Sequence, residues 1–522
     1  MSKRKVTAAG LVIVMALSFF AGCGAQKENG NTNGTSTTVS ADTAQTGTES
    51  KLEQVELKIM IPGDRPANME AVQAEAEKRM ADTINVKLNI VFIPWADLPD
   101  KTQVTLSSGG DIDLLFDAPW LHITQMIFSG YYQQLDELLK QYGQNLLKNR
   151  PQQMWDANKF DGKIMGMPLG NSAKGGIQYY IRKDIREKLG IAPIKTYEDL
   201  IDFAYAVKDK LKGVSPLLAA GDASGKDLSW AVFRKFFDYD THIDKTHALG
   251  LSLMLYYKNN DGEVYNMLET NEPTMLNWFK EARKLYLDKV IDQDVLSYKN
   301  VYDPVVAGKV AAVAESDFGV PTSTQEQIAK TIPGAEFEAV SFYDPTPGKN
   351  ISDFKQWNFI CLAAVSKNKE RAIQFLDWTN ANQDNYDLLA YGIKGVDWEP
   401  VGDDQYKSLG DKYLWFPYAW IWNPVMDRIN AGFDENSIKL IKFNKEADNF
   451  TKDILTGFDF NPKPVTNEIA QYQAIEDKYY TALSDGVIDP EQTLVKLKTE
   501  GGEYLKKIQV ELQKQIDAFL AK

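Results

Sequence analysis

Between residues 55 and 117 the apolar pattern changes period four times, and this switching limits the possible folds more than any other feature of the chain. Leu57 to Ile61 is rich in β-branched residues at strand spacing and is broken by Pro62-Gly63. Met69 to Asp82 then carries its apolar residues at helical spacing among Glu, Lys and Arg. Val86 to Ile93 returns to strand, Leu98 to Ser107 to helix, and Ile112 to Phe116 to strand. Strands separated by helices of this length require crossovers, so the expected class is α/β with a parallel sheet. In such open sheets ligands sit outside the carboxyl ends of the strands. The loops at those ends are Pro62 to Asn68 and Asp117 to Leu121.

The alternation continues. Asp161-Gly162-Lys163 is a turn leading to Pro168, Ile177 to Ile181 is a strand, and Thr196 to Lys212 is an amphipathic helix. Thr196 lies three residues before Asp199, the spacing of a capping box. Met254 to Asn266 holds two strand-like halves around Asn259-Asn260-Asp261-Gly262, a hairpin turn signal. The turn lacks the regular oxygen spacing of a calcium loop. Lys367 to Thr379 and Thr493 to Leu520 are further amphipathic helices. At 522 residues the chain exceeds what one core usually organises, so two lobes are expected.

The beginning of the chain has a different character. Lys3, Arg4 and Lys5 precede an apolar run from Ala8 to Phe20, too short for a bilayer crossing and followed by Ala21, Gly22 and Cys23. This is the pattern of a signal peptide over 1–22, and Phe20-Ala21-Gly22-Cys23 resembles a bacterial lipobox in which Cys23 takes the lipid. From Gly24 to about Ser50 the residues are mostly Gly, Asn, Thr, Ser, Gln and Ala, too polar to offset the entropy of ordering, so 23–54 is expected to be a lipid-anchored tether. The second cysteine, Cys361, lies in the apolar run Trp357 to Val365 and is expected to be a buried, inert thiol.

Several chemistries are disfavoured. Lys and Arg number 58 against 72 Asp and Glu, a net charge of −14, and no dense basic run offers the footprint of a nucleic-acid binder. No G-x-S-x-G, H-E-x-x-H, C-x-x-C or G-x-G-x-x-G pattern occurs. Gly221 to Asp227 is one residue short of a phosphate loop and has Asp where the magnesium ligand belongs. His122, His242 and His247 lack metal-ligand spacing. No metal site, cofactor or catalytic residue is expected. Many of the 11 tryptophans, in contrast, fall at strand ends or in turn-rich segments: Trp95, Trp120, Trp230, Trp357, Trp420 and Trp422 among them. Flat aromatic faces stack on the apolar faces of sugar rings while neighbouring Asp, Asn and Arg bond the hydroxyls.

On residues Lys58 to Arg65, Asp111 to Asp117, Asp161 to Pro168, Tyr179 to Asp184, Thr196 to Leu200, Gly308 to Val313, Ala364 to Glu370 and Phe375 to Trp378, the chain resembles the extracellular solute-binding proteins of carbohydrate-type ABC importers. Asn385 to Val396 is similar to a larger lipoprotein subset with a C-terminal extension. The resemblance implies a two-lobed, type II-like periplasmic-binding-protein fold with a cleft between lobes joined by a multi-segment hinge. It places lobe 1 at 55–177 plus about 345–395, lobe 2 at 178–344 plus about 396–460, and a helical extension at 461–522. Asp64, Arg65, Asp117 and Trp120 would line the cleft from the first lobe. Trp230, Asp317 and Trp420, Trp422 and Asn423 would close it from the second, with Trp420 or Trp422 as stacking platform. The implied protein is a monomeric, non-enzymatic receptor held on the outer face of the membrane, handing a carbohydrate, an oligosaccharide by preference, to permease subunits. An anchored glycan-degrading enzyme and a receptor for a non-sugar solute remain the alternatives.

Overall fold

The computed structural model describes residues 52–173, 178–219, 244–245, 254–269, 273–294, 302–315, 322–342, 346–413 and 419–522. Cys23, the expected tether up to residue 51, Gly221 to Asp227, Trp230, His242, His247 and Asp317 lie outside them. Nine strands build the two main sheets: β1 (Val55–Pro62), β2 (Val86–Ile93), β3 (Leu114–Asp117), β4 (Met167–Leu169), β5 (Gln178–Arg182), β6 (Leu218–Ala219), β7 (Ala312–Glu315), β8 (Phe337–Ser341) and β9 (Asn358–Leu362). The helices used below are α1 (Met69–Met80), α2 (Leu98–Ser107), α3 (Ile123–Phe128), α4 (Asp136–Tyr142), α5 (Gln144–Lys148), α6 (Tyr197–Lys210), α7 (Lys369–Thr379), α8 (Thr466–Glu476) and α9 (Pro490–Leu520).

The first sheet has the order β2-β1-β3-β9-β4. β1 runs parallel to both β2 and β3, as the helical crossovers demand, and β9 runs antiparallel to β3 and β4. Successive side chains of a strand point to opposite faces. Leu57, Ile59 and Ile61 therefore pack with Met69, Val72, Ala76 and Met80 of α1, while Met60 joins Leu106, Ile123 and Met126 on the other face. Cys361 of β9 is fully buried in that second cluster, where desolvation pushes its thiol well above the ordinary range. It is the buried, unreactive thiol expected.

The second sheet has the order β8-β5-β7-β6. Its core joins Tyr179 and Ile181 to Leu200, Phe203 and Val207 of α6. The Thr196 side chain accepts from the Asp199 N–H while Asp199 accepts from the Thr196 N–H, so the expected capping box forms. The Asn-Asn-Asp-Gly turn also forms, joining antiparallel strands Leu255–Tyr257 and Tyr265–Asn266. Asn259, Asn260 and Gly262 take left-handed φ values of 56°, 53° and 79°, the conformation in which Asn and Gly are favoured.

Two boundaries differ from expectation. Trp398, Tyr413, Trp420 and Met426 are buried in the core of the first sheet with Phe375 and Tyr386, so 396–413 and 419–430 pack on lobe 1 rather than lobe 2. The C-terminal helices are present, but as part of lobe 2. Tyr472 of α8 and Leu497, Leu505, Ile508, Leu512 and Ile516 of α9 complete the core around β5. Periodicity in α9 showed an apolar stripe without showing which layer it would cover.

Candidate functional site

The carboxyl ends of β2 and β3 and the amino end of antiparallel β9 meet at one end of the first sheet. Trp95 follows β2, Trp120 follows β3, and Trp357 precedes β9, whose Phe359 pairs with Asp117. All three indoles are half exposed, at 41%, 49% and 42%. The rings of Trp95 and Trp120 are 6.1 Å apart at an interplanar angle of 34°, and both pack on Phe116, at 5.8 and 6.2 Å. Large aromatic side chains held half in water by a buried aromatic base form a platform suited to an amphipathic flat ligand.

Asp117 has a different role from the expected one. It is fully buried, and its carboxylate accepts from the N–H groups of Ala118 and His122, at 2.7 and 3.2 Å, and from the Tyr132 hydroxyl at 2.5 Å. Burial raises its pKa above the ordinary carboxylate value, against the lowering effect of those three bonds. A residue so placed fixes the turn that carries Trp120 and does not itself meet a ligand.

Of the expected closing residues, Trp420, Trp422 and Asn423 are relocated by the packing of 396–413 and 419–430. Trp420 is 1% exposed and packs against Phe375, 6.3 Å between centroids, so it is a core residue and no stacking platform. Asn423 is fully buried, donating to Asn380 Oδ1 at 2.6 Å and accepting from the Val425 N–H at 3.0 Å. Trp422 is partly buried against the same core, and its carbonyl accepts from Arg150 at 3.0 Å. Asp64 and Arg65 are exposed at the carboxyl end of β1. The Arg65 guanidinium, however, bonds Gln73 and the Ile90 carbonyl and lies over the Phe92 ring, 5.7 Å from its centroid. Trp95 and Trp357 are absent from the set expected to bind. The signal for them was position, since Trp95 lies two residues after β2 and Trp357 immediately before β9, at the same end of the sheet.

Residues 170–177 lead from β4 to β5, and 342–357 lead back from β8 to β9. Gln356 ties the two passages together. Its amide Nε2 donates to the carbonyls of Asn171 and Phe354, at 3.0 and 3.1 Å, and its N–H donates to Asn158 Oδ1 at 2.8 Å. A Cβ on Gly170 would fall 2.0 Å from Gln356 Oε1, so a side chain there would have to displace the Gln356 amide, and the φ of 152° also favours glycine. Among the described residues no group of three or more His, Cys, Asp or Glu could hold a metal ion.

A family model described as bacterial extracellular solute-binding protein matches residues 62–386, and one described as a domain of unknown function (DUF3502) matches residues 454–521. A carbohydrate ABC transporter substrate-binding protein of Streptococcus pneumoniae is 25% identical over 481 residues, covering 89% of this chain and 91% of that protein. The crystal structure of the N-glycan transport solute binding protein NgtS of the same organism superposes with a TM-score of 0.72 at 23% identity, over 90% of this chain and 99% of that one. The structure of that protein in complex with Man5GlcNAc superposes with a TM-score of 0.63 at 23% identity, over 89% of this chain and 98% of that one. At this identity the structural likeness establishes the fold, two lobes each with its own sheet.

Proposed function

The chain belongs to the bacterial extracellular solute-binding proteins, and from that premise we propose that it is the carbohydrate receptor of an ABC importer, anchored through Cys23 and working as a monomer. The observation that supports the sugar reading is the platform of Trp95 and Trp120 on Phe116, with Trp357 exposed beside the same end of the sheet. Two tilted indoles with centroids 6.1 Å apart offer more stacking surface than one sugar ring covers, which favours an oligosaccharide. The relative solved with Man5GlcNAc makes an N-glycan fragment the first ligand to test.

Binding would proceed by closure of the second lobe over the platform, a population shift between open and closed forms. The passages tied by Gln356 are where the chain would bend. Handover to the permease follows from the closed form alone presenting both lobes in register.

A thermal-shift screen of the folded body against neutral oligosaccharides tests the reading, because a ligand bound only by the folded form raises the unfolding midpoint. The expected result is a saturable rise with at least one saccharide and no release of reducing ends. Release of reducing ends would make the protein a glycan-degrading enzyme; no shift with any saccharide would remove the sugar reading. Replacement of Cys23 by Ser is expected to release the protein from membranes into the medium, and retention would remove the anchor.

A further inference from the structure

The helical side of lobe 1 carries a second opening. α7 presents Gln374 and Trp378 one turn apart, and the C-terminal end of α4 presents Gln141 and Tyr142. With Ile84 they line a groove of about 350 Å³, the size of a small-ligand site. Ile84 precedes β2 and Trp95 follows it. The intervening strand, roughly 26 Å long at about 3.3 Å per residue, separates the groove from the aromatic platform.

The polar groups of this groove are unusual for a surface depression. The Oε1 of Gln374 is buried and meets no donor among the described residues. The Trp378 indole N–H also makes no hydrogen bond among the described residues, whereas the Gln141 amide is exposed and the Tyr142 hydroxyl is paired with Glu370. A buried acceptor left unmatched costs free energy that a ligand hydroxyl would recover. Asp377, the one charged residue of the lining, is already spent: it accepts from the N–H groups of Asn145 and Leu146 and from Asn145 Nδ2. Arg371, on the same helix, donates to the carbonyls of Glu53 and Ile84.

A flat indole, an aliphatic neighbour and an unpaired neutral donor and acceptor match a sugar ring, whose faces are apolar and whose hydroxyls both donate and accept. A phosphate or carboxylate would find no cation in this lining. We infer that the groove bounded by Trp378, Gln374 and Tyr142 is a second saccharide site, taking a neutral terminal sugar; the inference rests on the carbohydrate reading of the protein. A branched or long glycan held there by one arm would be kept near the platform at raised effective concentration.

The test is fluorine NMR of the full chain labelled with 5-fluorotryptophan, with the Trp378 resonance assigned by Trp378→Phe. The probes are methyl mannoside, methyl glucoside and N-acetylglucosamine at millimolar concentration. The Trp378 resonance is expected to shift saturably, to do so equally in a Trp120→Ala chain, and to need roughly tenfold more probe in Gln374→Ala. A Trp378 resonance unmoved by every saccharide, or moved identically in Gln374→Ala, overturns the second site. So does a shift produced by N-acetylglycinamide and not by sugars. If Trp378 responds while Trp95 and Trp120 respond to no oligosaccharide, the platform reading fails and the groove stands.

Discussion

Asp117 and Trp120 stand three residues apart, yet one is buried to hold a turn and the other is exposed by it. Trp95→Ala or Trp120→Ala should weaken oligosaccharide binding by ~1 to 3 kcal/mol and leave the unfolding midpoint nearly unchanged, as titration calorimetry and thermal unfolding would show. Trp420→Ala should do the reverse, costing ~3 to 5 kcal/mol of stability as a core truncation; an unfolding midpoint within a degree of the parent would contradict its placement. Sequence reasoning pointed to tryptophans as candidate ligand contacts but could not separate the exposed from the buried ones. A Trp beside turn residues looks the same whether its ring faces water, like Trp120, or Phe375, like Trp420. The decision depends on which lobe the segments 396–413 and 419–430 cover, a contact invisible to local pattern.

The buried Asp117 also titrates in a readable direction. Its folded-state pKa is raised above 3.8 chiefly by burial, so between 3.8 and that higher value the folded protein holds a proton that the unfolded chain has released. Its contribution to stability is complete below pH 3.8 and is lost as pH rises through the folded-state value. In Asp117→Asn the Oδ1 acceptor is kept and the titration is removed. Denaturant unfolding of parent and variant across acid to neutral pH should therefore show the parent gaining on the variant as pH falls. The opposite slope would mean that the carboxylate is favoured in the folded state.

At the scale of elements, the strand and helix alternation from 55 to 117 was legible because each period is set by local chemistry, and the capping box at Thr196 and the Asn-Asn-Asp-Gly turn followed for the same reason. What α9 does was not legible. Gly501, in the middle of this 31-residue helix, shows the cause: a Cβ there would lie 2.9 and 3.0 Å from ring atoms of the buried Tyr472 in α8. Glycine in a helix interior costs roughly 0.5–1 kcal/mol relative to alanine, so propensity alone favours replacement. Close approach of α8 and α9 argues otherwise, and Gly501→Ala should destabilise by about 1 to 3 kcal/mol. A more stable variant in chemical denaturation would show that the two helices can separate without loss.

For the whole molecule, Gln356 knots two of the three passages of chain between the lobes, the third running from Met426 to Leu455. Gln356→Ala removes the tie to Asn171 while leaving Gln356's own N–H on Asn158. Loss of a buried polar partner costs ~1 to 3 kcal/mol, and if closure bends these passages, part of that should appear as altered affinity. Small-angle scattering should show a smaller ligand-induced contraction in this variant; an identical contraction and affinity would place the bend elsewhere.

The interleaving of the two lobes has a consequence for how the protein comes into being. Lobe 1 draws its core from β1 to β4 and again from β9 to Met426, while lobe 2 waits for α9, the last helix of the chain. Neither core is complete until most of the polypeptide has been delivered. During export, then, lobe 1 cannot complete its core before Met426 emerges and lobe 2 cannot do so before α9, so each stays open to proteases until a late segment arrives. A truncation that removes α9 should for this reason yield a degraded secreted product rather than a shorter receptor.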